Sequence, residues 1–222
     1  MKRTAIYASF VAAMFLAACS SEAENTAEET TTVTSEAAAA TGEGEIYQIA
    51  QEESSVKWHG TKVTGEHRGE IKVQSGELTV NGDQLTGGTI VIDMNSLTNT
   101  DLEAEEDNAK LVGHLKSDDF FGVEKFPTAT FEITGASPIA DAAAGEENYN
   151  VEGNLTIKEK TEKVSFPATV NVNEGTVTAK ADMVVDRSKF DVRYGSETFF
   201  GNLGDKAIHD EFTVSFDVTA KK

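Results

Sequence analysis

The chain has 222 residues, with 38 Asp and Glu against 19 Lys and Arg, a formal net charge of -19, 39% hydrophobic residues and one cysteine. That apolar content excludes a wholly disordered chain, and a lone cysteine excludes both a disulfide framework and a cysteine-rich zinc module. The acidic balance argues against a nucleic-acid partner, whose phosphates need a basic footprint.

Residues 1–18 read as an address. Lys2 and Arg3 give a positive start, and an apolar run follows from Ala5 to Ala18. The run falls short of the roughly 20 residues that span a bilayer, which predicts a secretory signal peptide. It leads into Leu16-Ala17-Ala18-Cys19, then Ser20 and Ser21, and this resembles the lipobox of bacterial lipoproteins. The resemblance implies acylation of Cys19, with palmitate among the chains, and cleavage that makes Cys19 the mature N-terminus. An ordinary signal peptide with an incidental cysteine is the competing reading. Each buried methylene contributes about 0.8 kcal/mol, so more than one acyl chain gives a stable membrane anchor. Ser20 after the cysteine, in place of Asp, implies by lipoprotein habit an outer-membrane location in the cell envelope. Whether that is the periplasmic face or the cell surface stays open.

Loss of residues 1–18 leaves 17 basic against 38 acidic residues, so net charge predicts that the anchor, and not the body, holds the chain on anionic lipid. Residues 20–45 contain seven Glu, no Lys or Arg, and otherwise mostly Ser, Thr, Ala and Gly. They lack an apolar period and are expected, with Cys19, to form an acidic disordered tether. Residues 46–222 are then a single domain.

From Tyr47 onward apolar positions alternate with period two, the mark of strands with one buried face. The sets begin with Val56 and Trp58, then Ile71 and Val73, Leu78 and Val80, and Ile90, Ile92 and Met94. Further on come Phe131 and Ile133, then Val151, Leu155 and Ile157 with Gly153 in phase, then Val164, Phe166, Val170 and Val172. Val177, Ala179, Ala181, Met183 and Val185 form another set, and Phe212, Val214, Phe216 and Val218 the last. Asn81-Gly82-Asp83 and Asn173-Glu174-Gly175 predict hairpin turns, Gly87-Gly88 a bend, and Ser75-Gly76 a break between two runs. About eight strands with short turns make an all-β antiparallel fold. Closure into a barrel is favoured over a sandwich because it removes exposed edges.

One stretch breaks the pattern. Residues 102–116 place Ala104, Asn108, Leu111, Val112 and Leu115 on one helical stripe, with Thr100 or Asp101 as the expected cap. A second short helix is expected over Ser117 to Phe121.

Three charged blocks carry a family resemblance. The first joins Ser96-Leu97-Thr98-Asn99-Thr100-Asp101, His114-Leu115-Lys116-Ser117-Asp118-Asp119-Phe120-Phe121 and Phe126-Pro127-Thr128-Ala129-Thr130-Phe131. The second is Val151-Glu152-Gly153-Asn154-Leu155-Thr156-Ile157-Lys158. The third is Asp186-Arg187-Ser188-Lys189-Phe190-Asp191-Val192, closing with Gly204-Asp205-Lys206. In this order they resemble the YceI-like family of polyisoprenoid-binding secreted proteins over about residues 46–220. The resemblance implies a lipocalin-like barrel holding an isoprenoid-type lipid, with no catalytic activity and no cofactor beyond that lipid. One departure stands out: many members place an Arg-Asp pair before the His-Leu-Lys-Ser block, where this chain has Asp107-Asn108-Ala109-Lys110-Leu111-Val112-Gly113. The fork that would face a pyrophosphate is absent, and Lys110 offers only a point charge.

An eight-stranded barrel either fills itself with side chains or holds one small ligand. On the ligand-holding reading, Gly153, Ala179 and Ala181 leave volume, and Phe131, Phe166, Met183, Phe212 and Phe216 wall an apolar tunnel. Plain core packing is the competing role for each. At the mouth, His114 and Lys116 fit either a polar headgroup or the helix C-terminus. Arg187 fits either a ligand contact or an ion-pair loop with Asp191 and Arg193, and Trp58 is assigned to the core. The four His (59, 67, 114 and 209) are dispersed, no Gly-x-Ser-x-Gly turn is present, and no metal site or catalytic residue is nominated. The leading reading is therefore an anchored lipoprotein that carries or stores a lipid, open to homodimerisation. A surface scaffold, adhesion or stress-protective lipoprotein with a filled core is the alternative.

Overall fold

The computed structural model describes residues 43–222, so the expected signal peptide, Cys19 and nearly all of the tether lie outside the described residues. Nine antiparallel strands make one sheet: β1 (Glu45–Ile49), β2 (Ser55–Lys62), β3 (Gly65–Asn81), β4 (Gln84–Asp93), β5 (Thr128–Pro138), β6 (Tyr149–Ile157), β7 (Lys160–Asn173), β8 (Thr176–Asp186) and β9 (Ile208–Lys221). Each strand from β2 to β9 pairs with its successor, and β9 returns to β2, which closes the barrel. β1 and β2 pair with the same two neighbours: β1 with the end of β3 and the end of β9, β2 with their other halves. They are one stave interrupted by a 3-10 turn at Gln51–Glu53, so nine strands make an eight-staved barrel.

The alternation read from the sequence survives as burial: β6 buries every second residue from Tyr149 to Ile157. Gly82, with φ +63°, and Gly175, with φ +74°, sit in the expected hairpin turns, where a left-handed backbone favours glycine. Two expected breaks are instead interior to long strands. Ser75-Gly76 lies within the 17 residues of β3, at a register shift against β4, and Gly87-Gly88 lies within β4. A Cβ on Gly88 would fall 2.6 Å from the Glu77 carbonyl oxygen, so this glycine permits close strand approach and not a bend.

The helix α1 (Glu105–Lys116) starts three residues later than expected. Its N-cap is Ala104, with no side-chain cap; Asp101 is occupied with β3, accepting from Arg68 N at 2.7 Å. Asn108 closes the entry instead, donating from Nδ2 to the carbonyls of Asn99 and Leu102, both at 3.1 Å. Ser117 to Phe121 form turns and no second helix, held by Gly122 N donating to Ser117 O at 2.8 Å.

The long connections, β4–β5 with α1 and β8–β9, gather at one pole with the β2–β3 and β6–β7 turns. The opposite pole carries the start of β1 and the end of β9. Its half of the barrel is packed solid around Leu78, Val80, Val177 and Ala220, each at most 1% exposed. Among the described residues the hydrogen-bond ladder closes on itself around one core, so residues 43–222 are expected to fold as a unit.

Candidate functional site

The other half of the barrel is hollow. A cavity of about 220 Å³ opens toward the long-connection pole. A dry apolar cavity of ~150 Å³ holds a benzene-sized guest, so the space here admits a larger apolar group. Its walls are inward side chains of the staves, among them Trp58, Ile71, Leu155, Met183 and Val214. Its floor is aromatic. Phe131 and Phe216 each lie 5.5 Å from Phe166, ring centre to ring centre, with the cavity above them. Leu111, His114 and Leu115 of α1, with Phe120 and Phe121, cover the opening.

Of the seven residues assigned to a tunnel, Phe131, Met183, Phe212 and Phe216 line the cavity. Phe166, Ala179 and Ala181 do not; Phe166 is the 6%-exposed ring beneath the floor. The role given to the small residues reverses. A Cβ on Gly153 would lie 2.4 Å from the Phe131 ring, so this glycine leaves its space to an aromatic floor and not to a ligand. Burying such rings contributes about 1.5–3 kcal/mol each, which makes the floor a stable stop.

The three polar mouth residues separate. His114 lines the cavity, its ring edge-on to Tyr194 at 4.3 Å and to Phe120 at 5.8 Å. It does not cap α1: its own carbonyl accepts from Ser117 N at 3.1 Å and Ser117 Oγ at 2.7 Å. Lys116 points away from the cavity lining and donates to Asn95 O at 2.6 Å, tying the helix end to the turn after β4. Arg187 touches the lining but is 2% exposed, and its N–H groups are spent on the protein. Nε donates to His209 O at 3.1 Å, Nη1 to Val192 O and Tyr194 O at 2.9 Å, and Nη2 to Ile208 O at 2.9 Å. Its ion-pair partner is Asp210, at 3.2 Å, and not Asp191, which pairs with Arg193 at 2.6 Å. Four of its five donors bond backbone carbonyls and its charge faces Asp210, so Arg187 is committed to the protein and not to a headgroup. Burial pushes the Arg187 guanidinium below its ordinary value, with Asp210 and Asp186 opposing. Burial would raise the Asp210 carboxyl, but hydrogen bonds from Ser196 and Thr198 and the Arg187 charge outweigh it and hold it below the usual range.

The fold also brings together residues that their sequence positions kept apart. His67 and His209 join His114 in the lining. His67 Nδ1 lies 2.8 Å from Asp101 Oδ2, and His209 Nδ1 lies 2.7 Å from Thr61 Oγ1. Burial acts to raise the Asp101 carboxyl, yet hydrogen bonds from Arg68 N–H, His67 and Asn99 hold it low. An ionised Asp101 only accepts, so His67 Nδ1 carries the proton. Lys62 adds a cation at the rim whose side chain makes no hydrogen bond or ion pair to another described residue. Trp58 is half-buried in the wall, donating from Nε1 to Thr98 O at 2.9 Å. Thr98 N and Thr100 N in turn bond β3 carbonyls at 2.9 Å, so the first motif block is a strap along β3. Among the described residues no three His, Cys, Asp or Glu side chains converge as a metal site, and no helix is long and apolar enough to cross a membrane.

The family model described as the YceI-like domain matches residues 47–220. The chain belongs to the YceI-like domain family. A curated relative, the UPF0312 protein of Azotobacter vinelandii, is 34% identical over 64 residues, a stretch spanning 29% of this chain and 31% of the relative. The crystal structure of BcnA of Burkholderia cenocepacia superposes with a TM-score of 0.58 at 26% identity, covering 78% of this chain and 99% of that one. A polyisoprenoid binding domain from Saccharophagus degradans superposes with a TM-score of 0.57 at 18% identity, covering 79% and 97%, a likeness of fold. In this YceI-like barrel Lys110, which stands near the expected Arg-Asp position, pairs with Glu106 at 2.7 Å on the outer face of α1 and not with the cavity.

Proposed function

We propose that this YceI-like protein is a lipid-anchored envelope lipoprotein whose barrel binds an isoprenoid-type lipid tail-first. The observation that carries the reading is the half-hollow barrel, an apolar cavity with a closed aromatic floor and an opening at one pole only. An apolar tail gains burial there, while a floor of two rings backed by Phe166 stops it part-way down the barrel. The family membership and the printed description of the Saccharophagus degradans domain as polyisoprenoid-binding support the same ligand class. His114, the lining histidine whose ring has no hydrogen bond to another described residue, and Lys62 are positioned for the polar end. A scaffold with a filled core has no use for this space.

Purification of residues 43–222 without detergent, solvent extraction and mass spectrometry test the reading. An isoprenoid-type lipid is expected in near-stoichiometric yield. An empty barrel that also fails to take up a prenyl alcohol added in solution overturns the proposal.

A further inference from the structure

The pole that holds the cavity mouth also exposes large apolar side chains. Val63 in the β2–β3 turn is 55% exposed, and Tyr194, Phe199 and Phe200 in the β8–β9 connection are 47%, 37% and 48% exposed. Backbone bonds clamp these segments side by side: Val63 N donates to Ala207 O at 3.2 Å, and Ile208 N to Gly195 O at 2.8 Å. Tyr194 touches the rim histidine His114, so the patch is continuous with the mouth.

Charge is sorted around the same pole. The β2–β3, β6–β7 and β8–β9 loops, with the strand residue bounding each, carry six accessible cations, Lys62, Lys158, Lys160, Lys189, Arg193 and Lys206, against five carboxylates, Glu159, Asp186, Asp191, Glu197 and Asp205. Beyond these and the buried Arg187, residues 46–222 hold ten bases against 26 acids. Arg193 stacks over Phe199 at 4.9 Å and Lys158 Nζ donates to Asp191 O at 3.2 Å, so cations and rings share one surface. α1 adds acid to the rim, with Glu105, Glu106 and Asp107 in its first turn and Asp118 and Asp119 following it. Screening cuts off charge beyond about 8 Å at physiological salt, so a bilayer against the β8–β9 side senses chiefly the loops it touches.

We propose that this apolar side of the mouth, whose local cations depart from the expectation set by net charge, docks on a lipid bilayer containing anionic headgroups. Phe199, Phe200, Tyr194 and Val63 enter the headgroup boundary, and the neighbouring cations meet lipid phosphates. Docking would let a lipid pass between bilayer and cavity without crossing water, which deepens the lipid-binding reading and rests on it. The anchor does not obstruct this. β1 begins at the far pole, but the residues between Cys19 and Glu45 reach at most about 85 Å when extended. The 17-residue β3 rises about 56 Å along its own tilted path, so the barrel is shorter than that reach.

Flotation of residues 43–222, which close their own barrel, tests the surface without the anchor. The wild-type barrel is expected to float with mixed phosphatidylethanolamine and phosphatidylglycerol vesicles more than with phosphatidylcholine vesicles, and less as salt rises. Phe199→Ser with Phe200→Ser should lower partitioning about tenfold or more. Lys189→Glu with Lys206→Glu, neither in the cavity lining, should lower it only on the anionic vesicles, and Ile46→Ser, at the far pole, should leave it unchanged. Bound lipid measured on the same samples should stay at its wild-type level, which separates a failure of docking from a failure of the cavity reading. Absence of flotation, or equal flotation of all variants, overturns the proposal. So does a wild-type dimer in sedimentation velocity that the Phe199→Ser and Phe200→Ser pair dissociates without any vesicle binding.

Discussion

Arg187 shows how one residue decides a region. Its guanidinium gathers the carbonyls of Val192, Tyr194, Ile208 and His209 and the carboxylate of Asp210, which fixes the β8–β9 connection against the start of β9. Breaking a buried pair on one side costs about 3–5 kcal/mol, because the partner charge stays buried. Arg187→Met should therefore lose about that much in urea unfolding, while Arg187→Met with Asp210→Asn should recover part of it. Acid should act through the carboxylates. Asp101 and Asp210 are held below their ordinary values in the fold, so each stabilises the barrel at pH above about 4. That stability is lost as pH falls through the lowered folded-state values. Urea melts between pH 7 and pH 2 should show the decline below about pH 4, and Asp101→Asn should flatten it.

At the level of elements, α1 stands apart from the sheet. It lies over the mouth with Leu115 as its one buried residue, and Lys116 and the Ser117 cap pin its end. Leu115→Ala should destabilise by about 2 kcal/mol, the low end of such truncations, since the side chain already borders space. It should also speed release of bound lipid, measured by transfer to acceptor vesicles. Val177→Ala, in the packed half, is the comparison: a similar loss of melting temperature with unchanged release. Equal release rates would remove α1 from the mouth's function. The strap of residues 97–101 is the second such element. It crosses β3 at Gly69, where a Cβ would lie 1.8 Å from Thr98 O and 2.6 Å from the Trp58 indole nitrogen. Neither the strap nor the glycine that admits it breaks the alternation of apolar residues, so the pattern alone shows strands and not what lies across them.

For the whole molecule, the proposed anchor and the barrel are expected to act separately. Cys19→Ser should leave an uncleaved precursor or release the protein to the soluble fraction, read by fractionation with palmitate labelling. Labelling that persists in the variant would exclude acylation at Cys19. The barrel itself should keep its melting temperature with residues 1–42 removed, since the ladder of the described residues closes on itself around one core.

The period-two alternation was enough to specify the strands, their buried faces and their all-antiparallel class, because strand geometry sends successive side chains to opposite faces. Glycine chemistry located the hairpins at Gly82 and Gly175, where a positive φ is required, but misread Gly76 and Gly88, where glycine serves strand approach. Sequence could not distinguish these uses, since both are local absences of a Cβ whose meaning depends on the neighbouring strand. Nor could it divide the barrel into a filled half and a hollow half. Inward residues look alike along a strand, and only the crossing of Phe131, Phe166 and Phe216 sets where packing ends and the cavity begins. The polar rim was equally hidden: His67 meets Asp101 across 34 positions and Arg187 meets Asp210 across 23, distances that barrel closure alone removes.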